Sequence, residues 1–293
     1  MVLRMRILVF LTGLFLVFWP GGPAYALIRV YVVGGGAEES AEFVNSLQAY
    51  LRDEGAVTSG DPPATPPDAL VVLGTEAYRK LPDKHPPAVL LAPSGNGLEL
   101  AKGDSAVYWS PSLSAQLALI RYLLPATNRV GMLVNNPDDM AWAKAFRQYA
   151  ADQSVDIRIL QADRQRLARQ VADLAASCDV LLAQPDPDLY NRDTIRLVLL
   201  AAYRQNRVFV GPSPAFVRAG ALATLYAPTP AIAEAVGQKL LALGKSGRLS
   251  PPTRIRNLSV SLNPQVSRAL GLAVPAINEL ERLLHFEELP AWP

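Results

Sequence analysis

Short apolar runs alternate along the chain with stretches in which apolar residues recur every three or four positions. Runs such as 129–134 (RVGMLV) and 156–161 (DIRILQ) are typical of buried strands. Phe43, Leu47 and Leu51 keep a four-residue step, which predicts one buried helix face. Further strands are predicted at 27–33, 69–74, 87–92, 179–184 and 207–211, with helices near 163–176, 189–205 and 229–244.

This alternation predicts an α/β fold with parallel, doubly wound sheets. The strand–helix units form two series, separated near residues 125–128. We therefore predict two Rossmann-like lobes rather than one sheet. Ser110-Pro111 and Asn136-Pro137 each resemble a helix start, with a capping residue followed by proline. The proline-rich stretch 59–69 (SGDPPATPPDA) is predicted to be a surface loop.

The amino terminus has the features of a secretory signal. Arg4 and Arg6 precede an uncharged run at 7–19, and Ala24-Tyr25-Ala26 supplies the small residues of a cleavage site. The alternative is an uncleaved anchor, but the run is shorter than the roughly 20 residues that span a bilayer. We therefore expect residues 1–26 to be a signal peptide, cleaved after Ala26, and the mature protein to be periplasmic.

Charge and cysteine content narrow the possible partners. The chain has 28 basic and 26 acidic residues, and removal of the two signal arginines leaves 26 of each (28 − 2 = 26). A neutral protein lacks the positive field that binds nucleic acid or anionic membrane, so neither partner is expected. The single cysteine, Cys178, permits no internal disulfide and is predicted to be buried.

Small and hydrogen-bonding residues follow the ends of the predicted strands. Ligands of doubly wound sheets bind beyond the carboxyl ends of the strands. These residues therefore predict a polar cleft between two lobes, although each could instead only turn the chain or cap a helix. The candidate ligand-binding residues are Gly35, Thr75, Ser94, Asn135, Asp186, Tyr190 and Ser213.

The segment 184–194 (QPDPDLYNRDT) concentrates three aspartates directly after a predicted strand. It is not an EF-hand loop, because Asn191 stands where glycine is needed and Leu197 where glutamate is needed. Asp188 is predicted to cap the following helix. Asp193 is predicted to lie in the first turns of that helix, where its negative charge interacts favourably with the helix dipole. Asp186 ends a buried strand and needs a cationic partner, either a ligand ammonium in the cleft or a local side chain such as Arg192.

Enzymatic and metal-binding motifs are missing from the sequence. The glycines at 34–36 lack the G-x-G-x-x-G spacing of a dinucleotide site, and no nucleophile elbow occurs. His85 and His285 are isolated from each other, and no Cys/His cluster has zinc spacing. We therefore expect no enzymatic activity, no cofactor and no bound metal.

The second half of the chain resembles ABC-transporter substrate-binding proteins of the group that includes tryptophan- and tyrosine-binding members. The resemblance runs from about residue 116 to 275. It is carried by P-D-x-x-x-Y-N at 185–191, F-V-R-A-G-A-L-A at 216–223 and N-x-x-x-x-x-x-L-G-L at 263–272. The residues before the first crossover depart from the family, because 94–112 replaces its usual D-P and N-x-T-G motifs. An aromatic amino acid ligand is therefore not assumed.

The resemblance implies the type I periplasmic binding protein fold, in which crossover segments join two lobes. One lobe would hold 27–126 plus about 227–247, and the other 127–226 plus about 248–293. The family's ligand-contacting threonine would fall on Thr75, and its acidic residue on Asp186 or Asp188.

The implied function is capture of a small polar ligand between the lobes and its delivery to an inner-membrane ABC permease, by a protein expected to be monomeric. The alternative is an envelope sensing or interaction protein that keeps the fold without transport.

Overall fold

The chain forms two six-stranded sheets with helices packed on their faces. The computed structural model describes residues 27–94, 98–135 and 137–286. The predicted signal segment 1–26 lies outside the described residues, as do Asn136 and residues 287–293. Within the described part, no helix has the length and apolar character needed to cross a membrane.

The first sheet has the strand order β11-β5-β4-β3-β1-β2, and all of its pairings are parallel. Its strands are β1 (Ile28–Gly34), β2 (Gly55–Ser59), β3 (Ala69–Leu73), β4 (Ala88–Ala92), β5 (Ser105–Tyr108) and β11 (Thr253–Arg254).

The second sheet repeats this order as β12-β10-β9-β8-β6-β7. The two sheets differ in one pairing: β12, the last strand of the chain, runs antiparallel to β10. Its strands are β6 (Arg129–Val134), β7 (Asp156–Gln161), β8 (Val180–Leu182), β9 (Val208–Val210), β10 (Ala223–Tyr226) and β12 (Ser259–Leu262).

The helices connect successive strands and cover the sheets, as the predicted strand–helix alternation requires. They are α1 (Ala37–Leu51), α2 (Thr75–Arg79), α3 (Leu113–Leu123), α4 (Pro137–Ala151), α5 (Leu167–Ser177), α6 (Ile195–Tyr203), α7 (Pro214–Ala219), α8 (Thr229–Ser246), α9 (Pro264–Ala269) and α10 (Ile277–Phe286). The predicted two-lobe α/β fold is confirmed.

Each sheet has its own apolar core. Helices α1 and α8 cover one face of the first sheet, with Phe43 and Leu47 buried against Leu240. Helices α3 and α4 pack on the second sheet, where Leu117 and Phe146 are fully buried. Because α3 packs into the core of the second sheet, the boundary between the two cores falls before α3, whereas the sequence predicts the break near 125–128.

Three segments pass from one sheet or its core to the other within the described chain: residues 109–112, 227–228 and 255–258. The last of these follows β11, which pairs with the first sheet although the predicted second lobe starts at about 248. Leu258 packs against both cores, so the third crossover forms part of each. The full domain boundaries stay predictions.

Matching arginine–aspartate pairs hold the amino ends of the two sheets. Asp68 accepts hydrogen bonds from the backbone N–H of Arg29 at 2.8 Å and from its guanidinium Nη2 at 2.8 Å. Asp179 accepts equivalent bonds from Arg129, both at 3.0 Å. In each lobe the pair thus joins the start of the strand that carries the arginine to the loop before its neighbour.

The tail packs back onto the second lobe. Leu280 of α10 is fully buried in the same core as α3, and Glu281 accepts a hydrogen bond from the backbone N–H of Val260 at 3.0 Å. Ile277, one turn earlier in the same helix, stays 43% exposed. Helix α10 therefore supports β12, the antiparallel edge strand.

Candidate functional site

Three of the candidate residues follow neighbouring strands of the first sheet. Gly35 follows β1, Thr75 follows β3, and Ser94 follows β4. Strands β1, β3 and β4 are adjacent in the sheet and parallel, so their carboxyl ends lie at one edge. The fold therefore brings these three residues to the same edge.

The other four candidates are arranged in the same way on the second sheet. Asn135 follows β6, Asp186 and Tyr190 follow β8, and Ser213 follows β9. These strands are also adjacent and parallel. Because these strands belong to the second sheet, this group and the first-sheet group lie on separate lobes.

Four of these side chains are half-buried and have polar atoms without partners. Thr75, Ser94, Asn135 and Ser213 make no side-chain hydrogen bond to any described residue. Polar groups that are withdrawn from water normally find a hydrogen-bond partner. Their position at the carboxyl ends of both sheets makes them available to a bound molecule.

Gly35 has a conformational role. Gly34 and Gly35 have φ of 84° and 80°, values that favour glycine. A Cβ on Gly35 would lie 2.7 Å from the Ser40 Oγ and 2.8 Å from a methyl carbon of Leu73. The turn from β1 into α1 therefore requires glycine, and Gly35 offers only backbone atoms to a ligand.

The acidic segment is organised by Asp186. Its Oδ1 accepts hydrogen bonds from the backbone N–H groups of Asp188 at 2.9 Å and Leu189 at 3.2 Å. Asp186 therefore caps the turn that follows β8. Burial raises the pKa of the Asp186 carboxyl above its usual value, against the opposing effect of these two hydrogen bonds. Its Oδ2 has no hydrogen bond within the described chain.

The predicted capping role of Asp188 is wrong, and the local cation whose charge acts on Asp186 is Arg164 rather than Arg192. Asp188 is exposed and pairs with Arg164 at 3.3 Å, while the helix that it was expected to cap begins only at Ile195. No ion pair joins Asp186 to Arg192 among the described residues, and the two hydrogen bonds that Asp186 accepts come from backbone N–H groups. The turn before α6 is instead held by Asn191, whose Oδ1 accepts from the backbone N–H of Asp193 at 3.0 Å.

Tyr190 lies in an aromatic core cluster. Its ring meets those of Phe209 and Phe216 edge-on, with centroids 6.2 and 6.0 Å away, and only 8% of the residue is exposed. Burial raises the pKa of the Tyr190 hydroxyl, and the nearby Asp186 carboxylate adds to the effect. The ring therefore supports the floor of the candidate site from inside the second lobe.

A pair of glutamines, missed by sequence reasoning, lies at the end of β8. Gln184 donates to the Oε1 of Gln116 at 3.0 Å, and Gln116 donates back at 3.3 Å. Gln116 is 5% exposed and also donates to the Pro111 carbonyl at 3.0 Å. The pair thus links the first crossover to the candidate cleft. A polar residue directly after an apolar strand was the available signal for Gln184.

His85 belongs to a structural network at the opposite end of the first sheet. Its Nε2 lies 3.6 Å from the Oδ2 of Asp104, which also accepts from the Tyr78 hydroxyl at 2.6 Å. Burial and the Asp104 hydrogen bond raise the pKa of Tyr78 to about 12. Asp104 also accepts from the backbone N–H of Ala88, the first residue of β4, so the network fixes the amino ends of β4 and β5.

Within the described residues, no group of three or more His, Cys, Asp or Glu side chains could hold a metal ion. Cys178 is fully buried, as predicted. Burial raises the pKa of its thiol, which disfavours a reactive thiolate.

Comparison with solved structures identifies the fold as that of type I periplasmic binding proteins. No protein-family model matches the chain, and no curated protein sequence is significantly similar to it. A conserved domain protein from Vibrio cholerae is 17% identical, with a TM-score of 0.66 over 85% of this chain and 96% of the other.

Two further structures have ligand-binding descriptions. An ABC domain from Streptococcus pneumonia in complex with L-Trp is 15% identical, with a TM-score of 0.66 over 85% of this chain and 96% of the other. A ligand-free, open substrate-binding protein with adhesive properties from Clostridium difficile is 13% identical, with a TM-score of 0.64 over 85% and 97%. The resemblance inferred from sequence motifs is thus confirmed at the level of fold.

Proposed function

We propose that the protein is the periplasmic solute-binding component of an ABC transporter and that it captures a small polar ligand between its lobes. The observation that carries the proposal is a set of half-buried polar side chains at the carboxyl ends of both sheets that have no hydrogen-bond partner among the described residues: Thr75, Ser94, Asn135 and Ser213. The three crossovers support closure of one lobe on the other around such a ligand.

The charges near these strand ends favour a ligand with an ammonium group. Glu76 pairs with Lys80 at 2.6 Å, and Asp188 pairs with Arg164 at 3.3 Å, so both carboxylates are neutralised locally. Asp186 keeps an unpartnered Oδ2 and has no ion pair within the described chain. A ligand cation would compensate this half-buried charge. The L-Trp complex of a similar fold supports an amino acid-like ligand.

Export and partners complete the proposal. The signal-like segment 1–26 supports delivery to the periplasm, where the mature monomer would pass its ligand to an inner-membrane permease. The proposed role is binding rather than catalysis, which the structural neighbours support because they are binding proteins.

A ligand screen tests the proposal. Melting temperature is measured against amino acids and small polar metabolites, and hits are confirmed by calorimetry. Asp186→Asn should weaken an ammonium ligand by roughly tenfold or more, because a charge-assisted hydrogen bond contributes about 1.5–3 kcal/mol. Thr75→Val should weaken the same ligand, while Thr65→Val, in the exposed loop after β2, should bind normally.

Two results would count against the proposal. If no compound in the panel binds, the envelope sensing or interaction role becomes the better explanation of the same fold. If a ligand binds but Asp186→Asn and Thr75→Val both retain wild-type affinity, the strand-end residues are not its site.

A further inference from the structure

A second concave surface lies beside the edge strand β11 of the first sheet, between α8 and residues 253–257 of β11 and the third crossover, and none of the candidate strand-end residues lines it. It is an open groove of about 380 Å³. Three cationic side chains line it, Lys239, Arg254 and Arg256, against one carboxylate, Glu234. The formal charge of the groove is therefore +2 (3 − 1).

Lys239 carries a buried charge with no carboxylate beside it. The residue is 2% exposed, and its Nζ donates to the Ser250 carbonyl at 3.4 Å, the Ser250 hydroxyl at 3.3 Å and the Pro251 carbonyl at 2.5 Å. Within the described chain it forms no ion pair. These acceptors fix the ammonium in place but leave its charge uncompensated, and burial lowers its pKa.

Arg254 is half-buried in the same groove and also lacks a carboxylate within the described residues. Its Nη1 donates to the Ser110 carbonyl at 2.7 Å, and its guanidinium carbon lies 5.9 Å from the centre of the Tyr108 ring. The Nε and Nη2 donors have no acceptor among the described residues. A guanidinium that is positioned by one hydrogen bond beside an aromatic ring, and that keeps two donors without partners in the described chain, is suited to bind an oxyanion in a bidentate manner.

We propose that this groove binds a small doubly charged oxyanion, a phosphate or a dicarboxylate, through Arg254 and Arg256. Lys239 adds its uncompensated charge from the wall. The charge of +2 matches one dianion, and Glu234 on the α8 side disfavours a longer polyanion. None of the strand-end candidates lines this groove, so the proposed anion differs in its contacts from the ligand proposed for them.

The test is calorimetry at low ionic strength with inorganic phosphate, and with succinate to distinguish a phosphate from a dicarboxylate. Arg254→Gln should weaken binding by roughly tenfold or more, because it removes the bidentate donors. Arg256→Gln should weaken it by about threefold, since its exposed charge is partly screened. Arg204→Gln, an exposed arginine of the second lobe, and Thr75→Val should both bind as wild type.

The inference is overturned if neither anion raises the melting temperature or gives binding heat at about 10 mM. It is also overturned if Thr75→Val loses the anion, which would place it among the strand-end residues. If Arg254→Gln fails to fold, Arg256→Gln decides the matter, because Arg256 is exposed and makes no hydrogen bond within the described chain. Wild-type affinity in Arg256→Gln would then refute the site.

Discussion

The contact between α1 and α8 depends on a glycine in the middle of a helix. A Cβ on Gly237 would lie 2.2 Å from the Cδ1 of Tyr50 and 2.6 Å from its Cε1. Gly244, two turns later in the same helix, has no atom within 4 Å of the equivalent position. Alanine substitution at Gly244 therefore measures helix propensity alone, whereas the same substitution at Gly237 measures propensity together with packing.

The expected effects have opposite signs. Alanine is favoured over glycine in a helix by about 1 kcal/mol, so Gly244→Ala should stabilise the protein by up to that amount. Gly237→Ala gains the same helix-propensity stabilisation. However, its Cβ would overlap the Tyr50 ring and force the two helices apart, and such overpacking costs about 1–3 kcal/mol. We therefore expect Gly237→Ala to be less stable than Gly244→Ala by about 1–3 kcal/mol.

Urea unfolding followed by far-UV circular dichroism measures the difference as a shift in midpoint. Tyr50→Ala removes the obstructing ring, so in that background Gly237→Ala should become stabilising. If Gly237→Ala matches or exceeds Gly244→Ala in the wild-type background, the close packing of α8 on α1 is refuted. If the Tyr50→Ala background leaves Gly237→Ala destabilising, the ring is not its cause.

Three further predictions concern polar groups. Asp186→Ala should lower stability by about 1 kcal/mol through loss of the turn cap, whereas Asp186→Asn should not, because asparagine caps equally well; their melting temperatures decide this. Hydrogen bonds from Arg29 hold the pKa of Asp68 below its usual value, so the resulting stability is present above the unfolded pKa of about 3.9 and is lost as pH falls through the folded pKa. Asp68→Asn should therefore flatten the fall in urea midpoint on acidification, and an unchanged acid limb would contradict the pairing. Gln116→Leu should destabilise by about 1–3 kcal/mol because it leaves the Gln184 amide unpaired, and Gln184→Leu in the same chain should recover part of the loss.

Strands that contain a continuous or alternating apolar run could be predicted from the sequence. Strands β6 and β7 occupy the predicted residues, and β3, β4, β8 and β9 lie within them. Four short strands were missed because they lack a long apolar run: the edge strands β2 (GAVTS) and β12 (SVSL) and the interior strands β5 (SAVY) and β10 (ATLY). Strand β11 has two residues, and only its pairing with β5 defines it.

Helix starts and caps were less predictable than the helices themselves. Ser110-Pro111 has the form of a cap and first residue, but α3 begins at Leu113 and Ser112 caps it, accepting from the backbone N–H of Ala115 at 3.2 Å. Likewise, Asp186 and Asp188 are both plausible caps in sequence. Tertiary structure decides between them, because Asp186 is half-buried whereas Asp188 lies at the surface and pairs with Arg164.

The candidate strand-end residues could be found because topology alone puts the carboxyl ends of parallel strands at one edge. Contacts between distant parts of the chain could not be found in this way. Gln116 meets Gln184 across 68 positions, and Arg254 meets Ser110 across 144. Both depend on where the crossovers place their segments, which no local pattern encodes.

The three crossovers also constrain when each lobe can fold as the chain is synthesised. Leu47 and Val30 need Val236 and Leu240 of α8 to complete their core, and these are made only after the parallel strands of the second sheet. The second core in turn waits for Val260 and Leu280. A growing chain therefore finishes both lobes within its last stretch, and until then it exposes apolar surface to proteases and chaperones. Cutting the gene at the second crossover, residues 227–228, divides both cores and should therefore yield two fragments that fold only when mixed.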